Sequence, residues 1–276
     1  MKKSKLIVKN LSVAFGLLFT VHCLIFTATG QVAIKGETVY TMAGKPIKNG
    51  VVLTAGGKIT NVGPASSVSI PSSFRVVEAK VVTPGLVDAH TVIGLAGYLN
   101  QPHDQMQVDR SSPMQPDLRA IDSYNAREEL ISWVRSLGVT TIHTGHAPLA
   151  LISGQTMIAK TVGDSVAEAT LVPTAMIATT IGNAARGSGG KAPGTTAKQY
   201  AMLRQMLIKA QNYGKKKSFS RDLKLEMMKK VIDREIPLLV TAHRSQDIMT
   251  AIRIAKEFNI KMTNVAPEHK LQKIPA

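Results

Sequence analysis

An α/β fold is predicted for this chain: a small all-β module, then a larger region in which strands and helices alternate. Three observations point there. Of its 276 residues 44% are hydrophobic and 19% charged, enough for a packed core and too few charges for a disordered chain. Residues 32–80 read as short β-rich segments separated by turn residues. After Val81, β-rich runs alternate with stretches of helical period, the pattern of a parallel sheet or barrel.

The first 30 residues are set apart from that fold. Met1–Asn10 is basic, with Lys2, Lys3, Lys5 and Lys9, and Leu11–Phe26 is uncharged and largely apolar. Ala28-Thr29-Gly30 then places small residues before Gln31, the order of a secretory signal peptide. Export is the expectation, to the periplasm or the extracellular space after cleavage near Gly30. A retained membrane anchor is the alternative, because the apolar run approaches the lower limit for a span. The single cysteine, Cys23, lies inside this segment, which excludes a disulfide scaffold and a cysteine-based zinc cluster from the remainder.

From Val32 onward the elements follow in order. Val39–Met42, Val51–Ala55 and Lys58–Val62 are strand candidates, with Gly56-Gly57 forming a tight hairpin turn between the last two. Phe74–Val77 is a further segment, and Val81–His90 is an apolar run broken at Pro84-Gly85. Leu130, Val134 and Leu137 form one stripe of a short helix that Gly138 ends, and Val139–His143 and Thr170–Ile177 are expected strands. Thr195 or Thr196 caps a helix running to Tyr213 with Gly214 as its stop; Ser220 is expected to cap the next, with Leu225, Met228 and Ile232 on one face. Leu238–His243 reads as a buried strand, Ser245 as the cap of a helix bearing Ile248, Ile252 and Ala255, and Lys261-Met262 as the start of a final extended piece.

Net charge, +16 overall, invites a nucleic-acid reading until it is divided by region. Residues 1–30 carry +4, residues 31–185 balance 11 basic against 11 acidic side chains, and residues 186–276 carry 19 against 7. Aromatic residues make up only 4%, and no known nucleic-acid module is present, so no nucleic-acid partner is expected. Lys215-Lys216-Lys217 reads as a solvated loop, and an anionic membrane surface or cell-wall polymer is the remaining partner class for the excess charge. Gly187-Ser188-Gly189-Gly190-Lys191 has the look of a phosphate loop, but Ala185 and Ala192 stand where a Walker motif needs Gly and Ser or Thr; a flexible loop over the mouth of a barrel is the better reading.

Val82-Thr83-Pro84-Gly85-Leu86-Val87-Asp88-Ala89-His90 resembles the first barrel strand of the amidohydrolase superfamily. Asn49-Gly50-Val51-Val52 and Gly57-Lys58-Ile59 before it are similar to the composite β domain of the imidazolonepropionase-like branch. Gly138-Val139-Thr140-Thr141, Ile152-Ser153-Gly154-Gln155 and Ala242-His243-Arg244-Ser245-Gln246-Asp247-Ile248 continue the likeness in the same order, over about residues 32–262. The resemblance implies a partial (β/α)8 TIM-type barrel over residues 81–276, preceded by the N-terminal part of a β-sandwich-like composite domain over residues 31–80. It further implies a divalent metal at the C-terminal ends of the strands, where barrel active sites are assembled.

Several positions depart from the family. The family's first strand ends in His-x-His, two imidazoles on one face of a strand. Here the motif is His90-Thr91-Val92, and Val92 cannot ligate. Asp88 shares the face of His90 and is read as structural. No bridging Lys or Glu occurs around Ala175-Met176-Ile177-Ala178, so one zinc ion is the expected complement, with His90 and His243 as its ligands. His143 and His146, where the strand from Val139 runs out, are candidates for substrate binding, with plain loop histidines as the alternative; His103 is unassigned. Eight strand–helix units usually need about 250 residues, whereas Val81–Ala276 supplies enough for five or six, and Pro267-Glu268-His269 forms no convincing strand. The family's later metal histidine and catalytic aspartate find no counterpart, so a fragment or a frame-shifted product is the expectation.

The function these residues imply is a metal-dependent hydrolase acting on a carbon–nitrogen bond of a small amide-like or peptide-like molecule. Its alternative is a non-catalytic protein that binds a ligand in the same pocket without metal, which Val92 favours.

Overall fold

Gly56 and Gly57, with φ of 58° and 73°, supply the left-handed backbone that a two-residue hairpin demands, and they join an inner strand of the first sheet to its edge strand. A computed structural model describes residues 30–187, 189–215 and 220–265, which fall into two compact units divided between Pro84 and Gly85. The expected signal segment, Lys216-Lys217 and Pro267-Glu268-His269 lie outside the described residues; among those described, no helix is long and apolar enough to cross a membrane.

The first unit holds β1 (Val32–Val39), β2 (Ile47–Ala55), β3 (Lys58–Pro64) and β4 (Arg75–Val82), in the order β3-β2-β1-β4. Neighbours are antiparallel except β1 and β4, which run parallel. Ala33, Val51, Leu53 and Val68 make a small core, with Ile70 and Phe74 packed on it. β4 leaves Val76, Val77 and Val81 exposed. The unit is a single sheet; the second layer expected of a sandwich is not among the described residues. The strand expected at Val39–Met42 instead ends at Val39 and extends back to Val32.

The second unit contains β5 (Leu86–Thr91), β6 (Val139–Thr144), β7 (Ile152–Gln155), β8 (Met157–Lys160), β9 (Thr170–Val172), β10 (Ile177–Thr180), β11 (Leu238–Thr241) and β12 (Met262–Val265). Its helices are α1 (Glu129–Ser136), α2 (Val166–Ala169), α3 (Thr196–Asn212), α4 (Leu223–Ile232) and α5 (Ser245–Phe258). Two four-stranded sheets result, β5-β6-β8-β9 and β12-β11-β10-β7, and neither closes. Strands β7 and β8 form one extended run through Thr156 that leaves one sheet and enters the other. Because β6 pairs antiparallel with β8 and β10 antiparallel with β7, β5, β6, β10, β11 and β12 all point the same way. One reversed run thus separates β6 from β10, an interruption that strict strand–helix alternation does not predict.

Packing explains the central strands. Every residue of β10 and β11 is buried, as expected where helices cover a parallel sheet. Leu203 and Leu207 of α3, Met228 and Val231 of α4, and Ile248, Ala251 and Ile254 of α5 share one core with Leu238 and Val240. α3 is capped by Thr195, whose side chain accepts from the Lys198 N–H, and Gly214 follows it at φ 77°. Two expected caps move. Asp222 rather than Ser220 caps α4, because its carboxylate reaches both the Lys224 and Leu225 N–H groups. Ser245 is the first residue of α5, and Arg244 before it makes no side-chain cap. The single strand expected over Thr170–Ile177 is two, β9 and β10, in different sheets; Pro173 lacks the N–H that a continuous ladder would need.

Candidate functional site

The shared direction of five strands gathers four histidines at one end of the second unit. His90 lies in the last turnings of β5, His143 near the end of β6, His146 two residues beyond β6, and His243 two residues beyond β11. Their surroundings separate them sharply.

His143 is buried and fully engaged. Its Nδ1 lies 2.9 Å from the Ala89 carbonyl oxygen and its Nε2 2.6 Å from the Thr156 hydroxyl. A carbonyl only accepts, so Nδ1 carries the proton and Nε2 accepts from Thr156. That hydroxyl also accepts from the Met176 N–H. Thr156 therefore couples the run between the sheets to the imidazole, and no nitrogen of His143 is left over for a ligand. Its pKa is lowered by burial, against the opposing influence of the Ala89 hydrogen bond and the Asp88 charge.

His90 meets His143 edge-on, with ring centroids 6.0 Å apart and planes at 61°. Burial lowers its pKa first and the neighbouring His143 second, while Asp88 pulls the other way. Asp88 accepts from the His90 backbone N–H at 3.2 Å, which suits its reading as a structural residue. The His90 Nε2 is buried without a partner.

His146 is the most unusual of the four. It is 5% exposed, and neither ring nitrogen has a hydrogen-bond partner among the described residues. Burial lowers its pKa, and Asp109 opposes that shift. The ring packs on Gly154, whose φ of 144° and lack of a side chain both matter: a Cβ there would stand 2.8 Å from the His146 Nε2. Thr180, at the matching end of β10, likewise buries an unpartnered hydroxyl.

His243 is exposed. A catalytic zinc ion usually takes three protein ligands, yet among the described residues no group of three or more His, Cys, Asp or Glu is placed to hold a metal ion. With Val92 beside His90, the described side chains do not fit a complete metal site. His103 pairs with Asp104 at 3.4 Å in a short turn, away from these contacts. Thr156 carries no signal in the sequence: one threonine between Ile152–Gln155 and Met157–Lys160 has no distinguishing spacing, and only the antiparallel run reveals its contacts.

Comparison with solved structures is decisive for the fold. The crystal structure of an amidohydrolase from Thermotoga maritima MSB8 matches with a TM-score of 0.79 and 27% sequence identity, covering 85% of this chain and 64% of that one. The chain has an amidohydrolase-like fold. It spans just under two thirds of the Thermotoga protein's length. Molinate hydrolase (TM-score 0.41, 15% identity, 88% of this chain and 61% of that one) and a prolidase (0.39, 11%, 84% and 65%) also match, at scores too low to bear on the argument. No protein-family model and no curated protein matches the chain. In this amidohydrolase-like fold the histidines sit at the carboxyl ends of parallel strands, His90 and His143 within them and His146 and His243 just beyond, the end at which α/β sheets bind their ligands.

Proposed function

We propose that the chain is a hydrolase of the amidohydrolase kind, acting on a carbon–nitrogen bond in a small amide-like molecule, on a scaffold that is part of a (β/α)8 barrel. The observation that carries this reading is the Thermotoga match, at 27% identity over 85% of the chain. The imidazolonepropionase-like branch, residues 31–80 as part of a composite β domain and export after cleavage near Gly30 belong to the same proposal.

The chemistry is derived from the protein's own groups. Of His90 and His243, proposed as holders of one zinc ion, only His90 brings a buried, unpartnered nitrogen, and two nitrogens fall short of three. His146, with a lowered pKa, is neutral at neutral pH and has lone-pair capacity that the protein leaves unused. It is suited to accept a proton from water as the water oxygen attacks the amide carbon. The carbon–nitrogen bond then breaks, and the proton passes to the departing nitrogen, giving acid and amine. His143 positions its neighbours and binds substrate only through them.

The test is product release. The full chain is incubated with a panel of dipeptides and N-acyl amino acids, with and without added zinc, and free amine is measured. Hydrolysis of at least one member, lost in His146→Ala with the circular dichroism spectrum unchanged, is expected. A folded chain that cleaves none of the panel overturns the reading. Metal content of wild type, His90→Ala and His243→Ala, measured in parallel, decides the zinc proposal separately.

A further inference from the structure

The same end of the second unit carries a cleft of about 560 Å³ whose lining includes none of the four histidines. Three stretches line it: residues 109–113 beyond β5, Leu149 and Ala150 beyond β6, and, beyond β10, residues 185–187 and 191–193. Its volume suits a small molecule. Arg110, Arg186 and Lys191 all line it, and none makes a side-chain hydrogen bond or ion pair with another described residue. Asp109 is the one acidic residue in the lining, and its carboxylate is committed elsewhere: it accepts the Ser111 N–H at 2.8 Å and acts on His146.

Unpaired surface cations are common, so what matters is how the walls hold them. The Asp109 wall is fixed by Gln115, which is 6% exposed; it accepts from the Ser111 hydroxyl at 3.0 Å and donates to the Asp109 carbonyl at 3.2 Å. The opposite wall closes on itself, with the Gly187 N–H donating to the Pro193 carbonyl at 3.0 Å and the Arg186 N–H to that of Asn183 at 3.1 Å. Its root is clamped by the buried Gln199 side chain, which both donates to and accepts from the Gly182 backbone at 2.8 Å. The stretch that carries Arg186 is thus tied at its root and, through Gly187, across to Pro193. With Arg110 on the Asp109 wall and Arg186 and Lys191 on the other, three cations against one occupied carboxylate leave a surplus of positive charge with no internal partner. Arginine forks match the planar geometry of carboxylates and the oxygens of phosphate.

We propose that this cleft binds the oxyanion, carboxylate or phosphate, of a small-molecule ligand; on the hydrolase reading, this is the acidic end of the substrate. Binding to the full chain is measured by calorimetry with succinate, with inorganic phosphate, and with uncharged succinamide. Saturable binding of succinate or phosphate, absent for succinamide and weakened by added salt, is expected, and the tighter of the two anions identifies the group recognised. Arg110→Gln and Arg186→Gln should each weaken binding about tenfold, and Lys191→Gln less, since a lone ammonium makes no bidentate contact. Lys45→Gln, in the first unit, should leave it unchanged. Equal binding of succinate and succinamide, no binding of either anion, or an Arg110→Gln/Arg186→Gln double variant that binds as wild type overturns the proposal. Because the readout is binding, a chain that binds anions but hydrolyses nothing upholds the cleft and rejects only the hydrolase reading.

Discussion

Strands β10 and β5 end at the same side of one unit, yet they live in different environments. β10, with β11 beside it, is buried at every residue beneath α3, α4 and α5. β5 pairs only with β6 and leaves Leu86 59% and Val87 66% exposed. The histidines follow this difference only in part. His90 comes from the exposed strand and still buries its Nε2, whereas His243 follows the buried β11 and is itself exposed. Strand burial is therefore a poor guide to which of these histidines are sequestered.

The comparison breaks most directly through stability. Leu207 on α3 is fully buried in the core shared with β11, so Leu207→Ala should cost about 2–5 kcal/mol, transfer and cavity terms together. Leu86→Ala on β5 should stay within about 0.5 kcal/mol. Urea unfolding monitored by circular dichroism measures both. Similar losses at the two positions would show that Leu86 is covered in solution.

A second contrast is between the two histidines of the β6 strand and its loop. Thr156→Val keeps the shape but leaves the buried His143 Nε2 without a donor, a loss of about 1–3 kcal/mol. His146→Leu should cost far less or even stabilise, since it removes two buried nitrogens that have no partners. Activity would be lost in the second variant. A His146→Leu protein as destabilised as Thr156→Val would mean that His146 is held by bonds to water and is structural.

How much of this was legible in the sequence follows from the kind of signal each feature leaves. Helix α1, the Gly56-Gly57 hairpin, the Gly214 stop and the strand at Leu238 all depend on local periodicity or a single turn residue, and each is legible in the sequence. The positions of the histidines are legible because each ends or closely follows a β-rich run. Their inequality was not legible, because His143 is satisfied by Ala89, 54 residues away, and by Thr156 on a reversed strand. The run β7–β8 is not legible as structure, since Ile-Ser-Gly-Gln holds a single large apolar residue and shows no alternation, although all four residues are buried. Pairing, not propensity, makes it a strand.

pH separates the buried cluster from the rest of the surface. His90, His143 and His146 all have pKa values below the usual 6.5, chiefly because burial penalises the charged ring. The unfolded chain then binds more protons than the folded one between those lowered values and about 6.5. Stability should be greatest above about pH 6.5 and fall as the pH drops through that value towards the folded pKa values. Urea midpoints at pH 8, 6 and 5 test the sign, and His146→Leu should flatten the slope. A midpoint that rises on acidification would place these rings in contact with uncompensated negative charge.

The smallest expected effect concerns the helices that bury β10 and β11. Asp222 accepts the Lys224 and Leu225 N–H groups at 2.9 and 3.1 Å, satisfying two of the four donors that open α4. Its backbone N–H donates in turn to the Tyr213 hydroxyl just beyond α3, so one residue ties the end of one helix to the start of the next. Asp222→Ala should cost about 1 kcal/mol, and Asp222→Asn, which keeps an accepting oxygen, considerably less. Ser220→Ala should cost nothing comparable, because Ser220 is exposed and makes no cap. Thermal unfolding of the three variants orders them. If Ser220→Ala proved the most damaging, α4 would begin earlier in solution, and its inward stripe of Met228 and Val231 would have to be re-registered against β11.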